Sequence, residues 1–215
     1  MGMTVIRDPS PGPAPDATRS VPPATGLQGR VGLWLLILLA ATGSLLPFGD
    51  SALQALRYER EALQAGQLWR LASAHFVHLN GMHAAGDALA LVLLWLLFAT
   101  VLSPRSWLFV LLSSMVAIDA GLWWLSPTVQ WYAGLSGLLH GAWAAGSAAG
   151  SARREPVALL LLVALVLKLA WEQLHGASLL VASFPVVVDA HLYGAIGGLL
   201  AWRLLRARQR ASEPL

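Results

Sequence analysis

The chain has 215 residues, of which 57% are hydrophobic and 12% charged, against roughly 25% charged in an ordinary soluble domain. A mean hydropathy of +0.63 argues against a soluble enzyme, a nucleic-acid binder or a disordered scaffold, although a pI of about 10.0 would alone suit a phosphate-binding surface. With no cysteine there are no disulfides, thiolate metal sites or iron–sulfur ligands.

Residues 1–30 carry many of the prolines, together with Gly, Ser, Thr and Ala, and show no apolar periodicity. They read as a disordered cytoplasmic tail. From Val31 to Gly49 no residue is charged, and the run suits a hydrocarbon core that takes roughly 20 helical residues. This is the first predicted span. A signal peptide is the rival reading, but about 30 residues ahead of the apolar run is long for a basic leader. Asp50 to Arg70 is polar, with Leu53, Leu56 and Leu63 at near-helical spacing, as in a segment lying along the interface. The second span runs from about Gly81 to Leu102 and is broken by Ser103 and Pro104; the third covers about Trp107 to Leu125. Trp123, Trp124, Trp131 and Tyr132 bracket the next loop as an aromatic belt would. The fourth span begins near Leu135 and fades before Arg153, the fifth covers about Pro156 to Leu174, and the sixth about Val188 to Leu205. The predicted fold is an all-α polytopic membrane protein, with a six-helix domain over residues 31–207 and a basic cytoplasmic tail over residues 208–215.

Loop cations set the predicted orientation. Arg7, Arg19 and Arg30, Arg105, Arg153 and Arg154, and Arg203, Arg206, Arg208 and Arg210 all fall on one side of such a bundle. The other side has Arg57, Arg60 and Arg70, so the positive-inside rule puts both termini in the cytoplasm. Depth can then be counted from each outer helix end at 1.5 Å per residue. His83, Asp87, Ser136, His140, Asp189 and His191 fall in first turns, and Asp119, Lys168 and Glu172 in last turns, all in the outer part of the bilayer. A charged side chain at a helix centre costs at least about 2.5 kcal/mol, so a cluster at one depth predicts a wet cavity opening outward. Snorkelling and interhelical hydrogen bonds are the bland reading for any one member, Lys168 or Asp189 for instance.

Three patterns coincide with this cavity. Gly134-Leu135-Ser136-Gly137 puts a serine at a helix N-terminus, where orphan N–H groups can stabilise an oxyanion. The alternative is a tight turn merely capped by serine. Ala190-His191-Leu192-Tyr193-Gly194 with Gly198 gives one GxxxG face, and Gly137 with Gly141 another, so the two helices can pack backbone to backbone. At matched depth that packing sets the His191 imidazole beside the Ser136 hydroxyl, the arrangement for general-base activation of a nucleophile. Spacing provides no carboxylate as a third member, since Asp189 points about 200° away from His191 around the helix. Trp69 and Arg70, then His78, Asn80, His83 and Asp87, form the third pattern. His83 and Asp87 share a face and suit either an oxyanion-binding pair or a metal pair. No HExxH and no cysteine supports zinc, so no metal is predicted. His75 and His175 read as packing or loop residues.

GxSG on the fourth span, AHxxGxxxG on the sixth and the His78, His83, Asp87 element on the second together resemble the rhomboid intramembrane serine proteases, from about Trp69 to Gly198. The resemblance implies a Ser–His dyad with Ser136 as nucleophile and His191 as base and then acid, cutting transmembrane segments near their outer end. It further implies an oxyanion hole made by the Ser136 N–H with His83 and the residue at Asp87. Two positions depart from the family pattern. Asp87 stands where the family usually has asparagine, and an ionised carboxylate cannot donate to an oxyanion; Lys168, at similar depth, is a candidate to hold it. His140 stands where many rhomboids have an aromatic residue packed on the catalytic imidazole, so it either buttresses His191 or competes with it as base.

Tyr132 to Gly141 and Val188 to Gly194, with Lys168, Trp171, Glu172 and Gln173, are similar to the rhombosortase subgroup of bacterial rhomboids. That similarity implies substrates exported with a C-terminal sorting tail: a Gly-Gly-type motif, a hydrophobic helix and a basic end. The expectation is therefore a cofactor-free serine endopeptidase of the bacterial inner membrane, opening to the periplasm, with transmembrane proteins and the lipid bilayer as partners and no nucleic acid. The rival readings are a general rhomboid protease of other transmembrane substrates, an inactive rhomboid-like binding protein and a proton-coupled transporter. Possession of both Ser136 and His191 disfavours the inactive form, and the bare inner half of the spans disfavours the transporter.

Overall fold

The computed structural model describes residues 32, 49–176 and 186–211. The predicted tail over residues 1–30, nearly all of the first predicted span and residues 212–215 lie outside them. The described elements are α1 (Gly49–Leu56), β1 (Tyr58–Glu59), α2 (Arg60–Gln64), α3 (Arg70–Ser73), a 3-10 turn (Ala74–Phe76), α4 (Gly81–Phe98), α5 (Pro104–Trp124), β2 (Trp131–Tyr132), α6 (Ser136–Ala152), α7 (Pro156–His175) and α8 (Val188–Ala211).

Local chemistry sets the ends of the long helices. The Asn80 side chain accepts from the His83 N–H at 2.9 Å and starts α4. Ser103 caps α5 by accepting from the Ser106 N–H at 3.2 Å, and Pro104 and Pro156 occupy first-turn positions where no N–H is needed. The prolines explain why α5 begins three residues before its predicted start. At the other end, α8 runs six residues past the predicted Leu205, because its arginine-rich last turns stay helical while exposed. Where one interfacial piece was expected over Asp50 to Arg70, the chain instead breaks into α1, β1, α2 and α3, because Tyr58 and Glu59 are drawn into a ladder with Tyr132 and Trp131.

Among the described residues three helices, α4, α5 and α7, are long and apolar enough to cross a membrane. Their outward faces carry exposed large apolar side chains, including Leu89, Leu93 and Leu96 on α4, Leu108, Leu112 and Val116 on α5, and Leu160, Val163 and Leu167 on α7. In water such stripes would be aggregation sites, whereas hydrocarbon is their natural solvent. The protein is a multi-pass membrane protein on this pattern. Helix α6 differs, being rich in Gly, Ala and Ser and buried along almost its whole length. It is the central post of the bundle.

Small residues let backbones approach around that post. A Cβ on Gly194 of α8 would run into the Gly137 carbonyl of α6, and one on Gly198 into the Gly141 carbonyl. Gly146 of α6 lies under the Phe98 ring of α4, and Gly150 against Ala158 of α7. Trp143 of α6 donates its indole N–H to the Leu161 carbonyl of α7 at 3.0 Å. The Gly194–Gly137 and Gly198–Gly141 contacts hold α6 and α8 at backbone distance, so residues near the starts of the two helices face each other across a narrow seam.

The segment before α4 braces the loop that leads into α6. Arg60 donates to the carbonyls of Leu122 (2.6 Å), Trp123 (3.2 Å), Ser126 (3.2 Å) and Val129 (3.3 Å), capping the C-terminus of α5. Arg70 is buried and donates to the carbonyls of Gln54 and Arg57. Through the antiparallel β1–β2 pair, Tyr58 lies opposite Tyr132, four residues before Ser136.

Candidate active site

The loop before α6 is pinned at three successive points. The Tyr132 hydroxyl donates to the Gly134 carbonyl at 2.6 Å, the Gly134 N–H donates to the Ala74 carbonyl at 2.9 Å, and the Leu135 N–H donates to Asp87 Oδ2 at 3.0 Å. Burial pushes the Tyr132 phenol up, helped by the negative charges of Asp87 and Asp119, so it remains a donor. Gly134 has φ +125, and a Cβ there would lie 2.7 Å from His83 Cε1, so only glycine fits. Ser136 then opens α6 as its first residue. The first turn of a helix leaves its N–H groups without intrahelical partners, which makes this end electropositive.

From the adjacent start of α8, His191 Nε2 sits 3.0 Å from Ser136 Oγ. His191 is buried and Ser136 partly exposed, so the hydroxyl lies at the edge of the buried network. His191 Nδ1 sits 2.9 Å from Glu172 Oε2 on α7. A carboxylate accepts, so Nδ1 carries the ring proton and Nε2 presents its lone pair to the serine. Glu172 is itself buried, and its other oxygen takes the Lys168 ammonium one turn away on α7. The chain of contacts is Lys168, Glu172, His191, Ser136, drawn from three helices.

Two sequence expectations change here. Spacing alone positions no carboxylate as a third member, yet Glu172 supplies one from a helix whose rotation about its axis no motif encodes. The i,i+4 spacing of Lys168 and Glu172 at the outer end of an apolar span was the available signal. Lys168, the sequence's candidate to hold Asp87, instead binds Glu172.

His140, one turn into α6, stacks on His191 with ring centroids 4.0 Å apart and planes 12° from parallel. Its Nδ1 lies 2.7 Å from the Ser136 carbonyl oxygen. That commits Nδ1 as a donor and turns the ring away from the Ser136 hydroxyl, so His140 is placed as a buttress and His191 as the imidazole in contact with Oγ. Its Nε2 is buried and has no hydrogen-bond partner among the described residues.

Asp87 is buried in the first half of α4, and its Oδ2 gathers three contacts: the Leu135 N–H, His78 Nε2 at 3.1 Å and His83 Nε2 at 3.5 Å. The carboxylate thus accepts from the loop before Ser136 rather than projecting a donor toward the serine. Gly137, Gly141, Gly194 and Gly198 lie in the α6–α8 seam described above. Asp189 points away from His191 and takes the Ser126 hydroxyl, which also meets Tyr193 Oη at 2.9 Å. His75 pairs with Asp119 at 3.4 Å and meets the Tyr132 ring edge-on, a tie between segments away from the serine.

Chemically the arrangement offers a hydroxyl in contact with an oriented imidazole, a carboxylate behind that imidazole and a helix N-terminus beside the hydroxyl. A family model described as the Rhomboid domain matches residues 65–208. Neither a curated protein nor a solved structure matches the chain.

Proposed function

The chain belongs to the rhomboid family, and from that premise we propose that it is an intramembrane serine endopeptidase with Ser136 as nucleophile and His191 as general base. The observation that carries this reading is the 3.0 Å contact between His191 Nε2 and Ser136 Oγ across two separate helices. Ser136 Oγ attacks a substrate carbonyl carbon while its proton passes to His191 Nε2. The resulting oxyanion lies near the Ser136 N–H at the positive end of α6. His191 then gives the proton to the leaving amine, the peptide bond breaks and an acyl-enzyme remains. Water, deprotonated by the same imidazole, hydrolyses the ester and frees Ser136.

Glu172 acts through His191 as a positioning residue. It holds the tautomer with a bare Nε2 and stabilises the imidazolium that forms in each transfer. Lys168 keeps Glu172 in place. Asp87 holds the Leu135 N–H and lies 3.5 Å from His83 Nε2, and the His83 ring flanks Gly134, which supports His83 as the α4 side chain that aids the oxyanion. No cofactor enters this scheme.

For substrate, the similarity of residues 132–141 and 188–194 to the rhombosortase subgroup favours exported proteins bearing a C-terminal sorting tail. Their transmembrane helix would be cut near its outer end in the bacterial inner membrane, with both termini of the enzyme cytoplasmic, as the arginine distribution favours. The test is a reporter carrying a Gly-Gly motif, a hydrophobic helix and a basic end, set beside a transmembrane reporter lacking the motif. Preferential cutting of the first supports the subgroup; cutting of the second alone leaves a general rhomboid protease; no cutting of either by protein that stays folded opposes the protease reading.

A further inference from the structure

We propose that His140, His191 and Glu172 form a binding site for a transition-metal ion of the Zn2+ type, and that occupancy holds the protein in a reversible inactive state. The inactivation rests on the catalytic reading above; the binding does not.

One ligand atom from each of the three residues lies within 4.8 Å of the others, and all three side chains are buried. The decisive feature is His140. Its Nδ1 faces a backbone carbonyl that can only accept, so the ring proton sits on Nδ1 and Nε2 keeps a lone pair. That lone pair is buried and has no partner among the described residues, an arrangement that costs stability unless something binds there. A ring nitrogen bared by a hydrogen bond from the other nitrogen to a backbone carbonyl is the usual outer-shell preparation of a metal-binding histidine. Glu172 is prepared similarly, since Lys168 holds one oxygen and leaves the other facing His191.

Two imidazoles and a carboxylate are a set that zinc and its neighbours accept, and that magnesium and calcium, which prefer all-oxygen shells, do not. Bonds of about 2.0–2.1 Å put tetrahedral ligand atoms about 3.3 Å apart, so occupancy requires one imidazole to rotate out of the His140–His191 stack until both lone pairs converge on the ion. The Lys168 ammonium opposes a second cation, but its side chain is 32% exposed and can turn toward solvent while Glu172 supplies the balancing charge.

Inactivation follows from proton accounting. If the ion takes His191 Nε2, the lone pair that accepts the Ser136 proton is consumed. If it takes Nδ1, the ring proton moves to Nε2, and the same lone pair is again gone. In both cases Ser136 loses its base.

The test uses the full chain in detergent or bilayer, stripped with a chelator and then freed of it. Titration with Co2+ is expected to give the visible absorption of a tetrahedral nitrogen–oxygen site at one ion per chain, displaced by Zn2+. Ser136→Ala protein should bind in the same way, because its metal ligands are intact. His140→Phe keeps a ring on His191 but removes the nitrogen, and its cobalt affinity should fall by more than about tenfold. Zn2+ should lower wild-type proteolysis and a chelator restore it, while His140→Phe, compared with its own metal-free rate, should need more than about tenfold more zinc. Absence of the tetrahedral cobalt signal in wild type, or a His140→Phe titration equal to wild type, overturns the site. Tetrahedral binding that leaves proteolysis untouched overturns the inactivation. Binding by Ser136→Ala in preparations that cut no reporter upholds the site and counts against the protease reading instead.

Discussion

Glu172 Oε2 lies 2.9 Å from His191 Nδ1, on the ring nitrogen remote from Ser136. Replacing the carboxylate with an amide of the same shape allows an N–H to face Nδ1, which puts the ring proton on Nε2 and blinds it to the serine. Glu172→Gln should therefore lower kcat by about 10²–10⁴-fold with KM and thermal stability little changed, and Glu172→Asp should recover part of the loss. Steady-state kinetics on a transmembrane reporter separate this from a structural role, which would move stability and leave Asp no better than Gln.

Asp87 accepts from the Leu135 N–H, a task that an asparagine carbonyl also performs while adding an N–H2 donor. Asp87→Asn is expected to keep activity within about tenfold of wild type or to raise it, whereas Asp87→Leu leaves a buried N–H unpaired at a cost of about 1–3 kcal/mol and slackens the turn before Ser136. Parallel melting curves and reporter rates check both. An Asp87→Asn protein as inactive as Asp87→Leu would mean that the charge, rather than the acceptor, matters.

Much of this architecture was legible in the sequence, and the reasons are local. Apolar runs bounded by Ser103-Pro104 and Glu155-Pro156 gave spans whose described ends differ by only a few residues, because caps and prolines act on their own neighbours. The glycines at 137, 141, 194 and 198 implied close approach of α6 and α8, and depth counting then set Ser136 beside His191. What escaped was non-local. The rotation of α7 that brings Glu172 to His191 depends on packing such as Trp143 against Leu161, and no periodicity within α7 reports it. The two-residue ladder of β1 with β2 escaped for the same reason, its partners being some seventy residues apart.

Backbone contact between α6 and α8 leaves no room for a methyl group at Gly194, whose Cβ would meet the Gly137 carbonyl. Helix backbone on both sides cannot yield as a flexible side chain would. Gly194→Ala should destabilise the fold by about 1–3 kcal/mol or more and reduce turnover by separating His191 from Ser136. Unfolding in graded denaturing detergent measures the first and the reporter the second; unaltered values for both would contradict the seam.

Tyr132 joins stability to pH. Burial raises its phenol pKa above the ordinary value, so the folded state favours the protonated form. The resulting stabilisation is fully present below about pH 10, where the unfolded phenol begins to ionise, and is lost as pH rises through the folded value. Tyr132→Phe should lower neutral-pH stability by about 1–3 kcal/mol, since the Gly134 carbonyl loses its donor, and should flatten the alkaline fall in stability. Unfolding measured across the alkaline range in both proteins tests the sign; an equal slope would show that Tyr132 does not carry it.

The most direct measurement of the central claim needs no knowledge of the substrate. A fluorophosphonate probe reacts with a serine whose hydroxyl is deprotonated by a neighbouring base, and mass spectrometry locates the adduct. The account predicts phosphonylation of the folded wild-type protein at Ser136, none at any site in Ser136→Ala, and a rate lower by at least about 10³-fold in His191→Ala. Modification of another serine, or of Ser136 at an equal rate without His191, would contradict it.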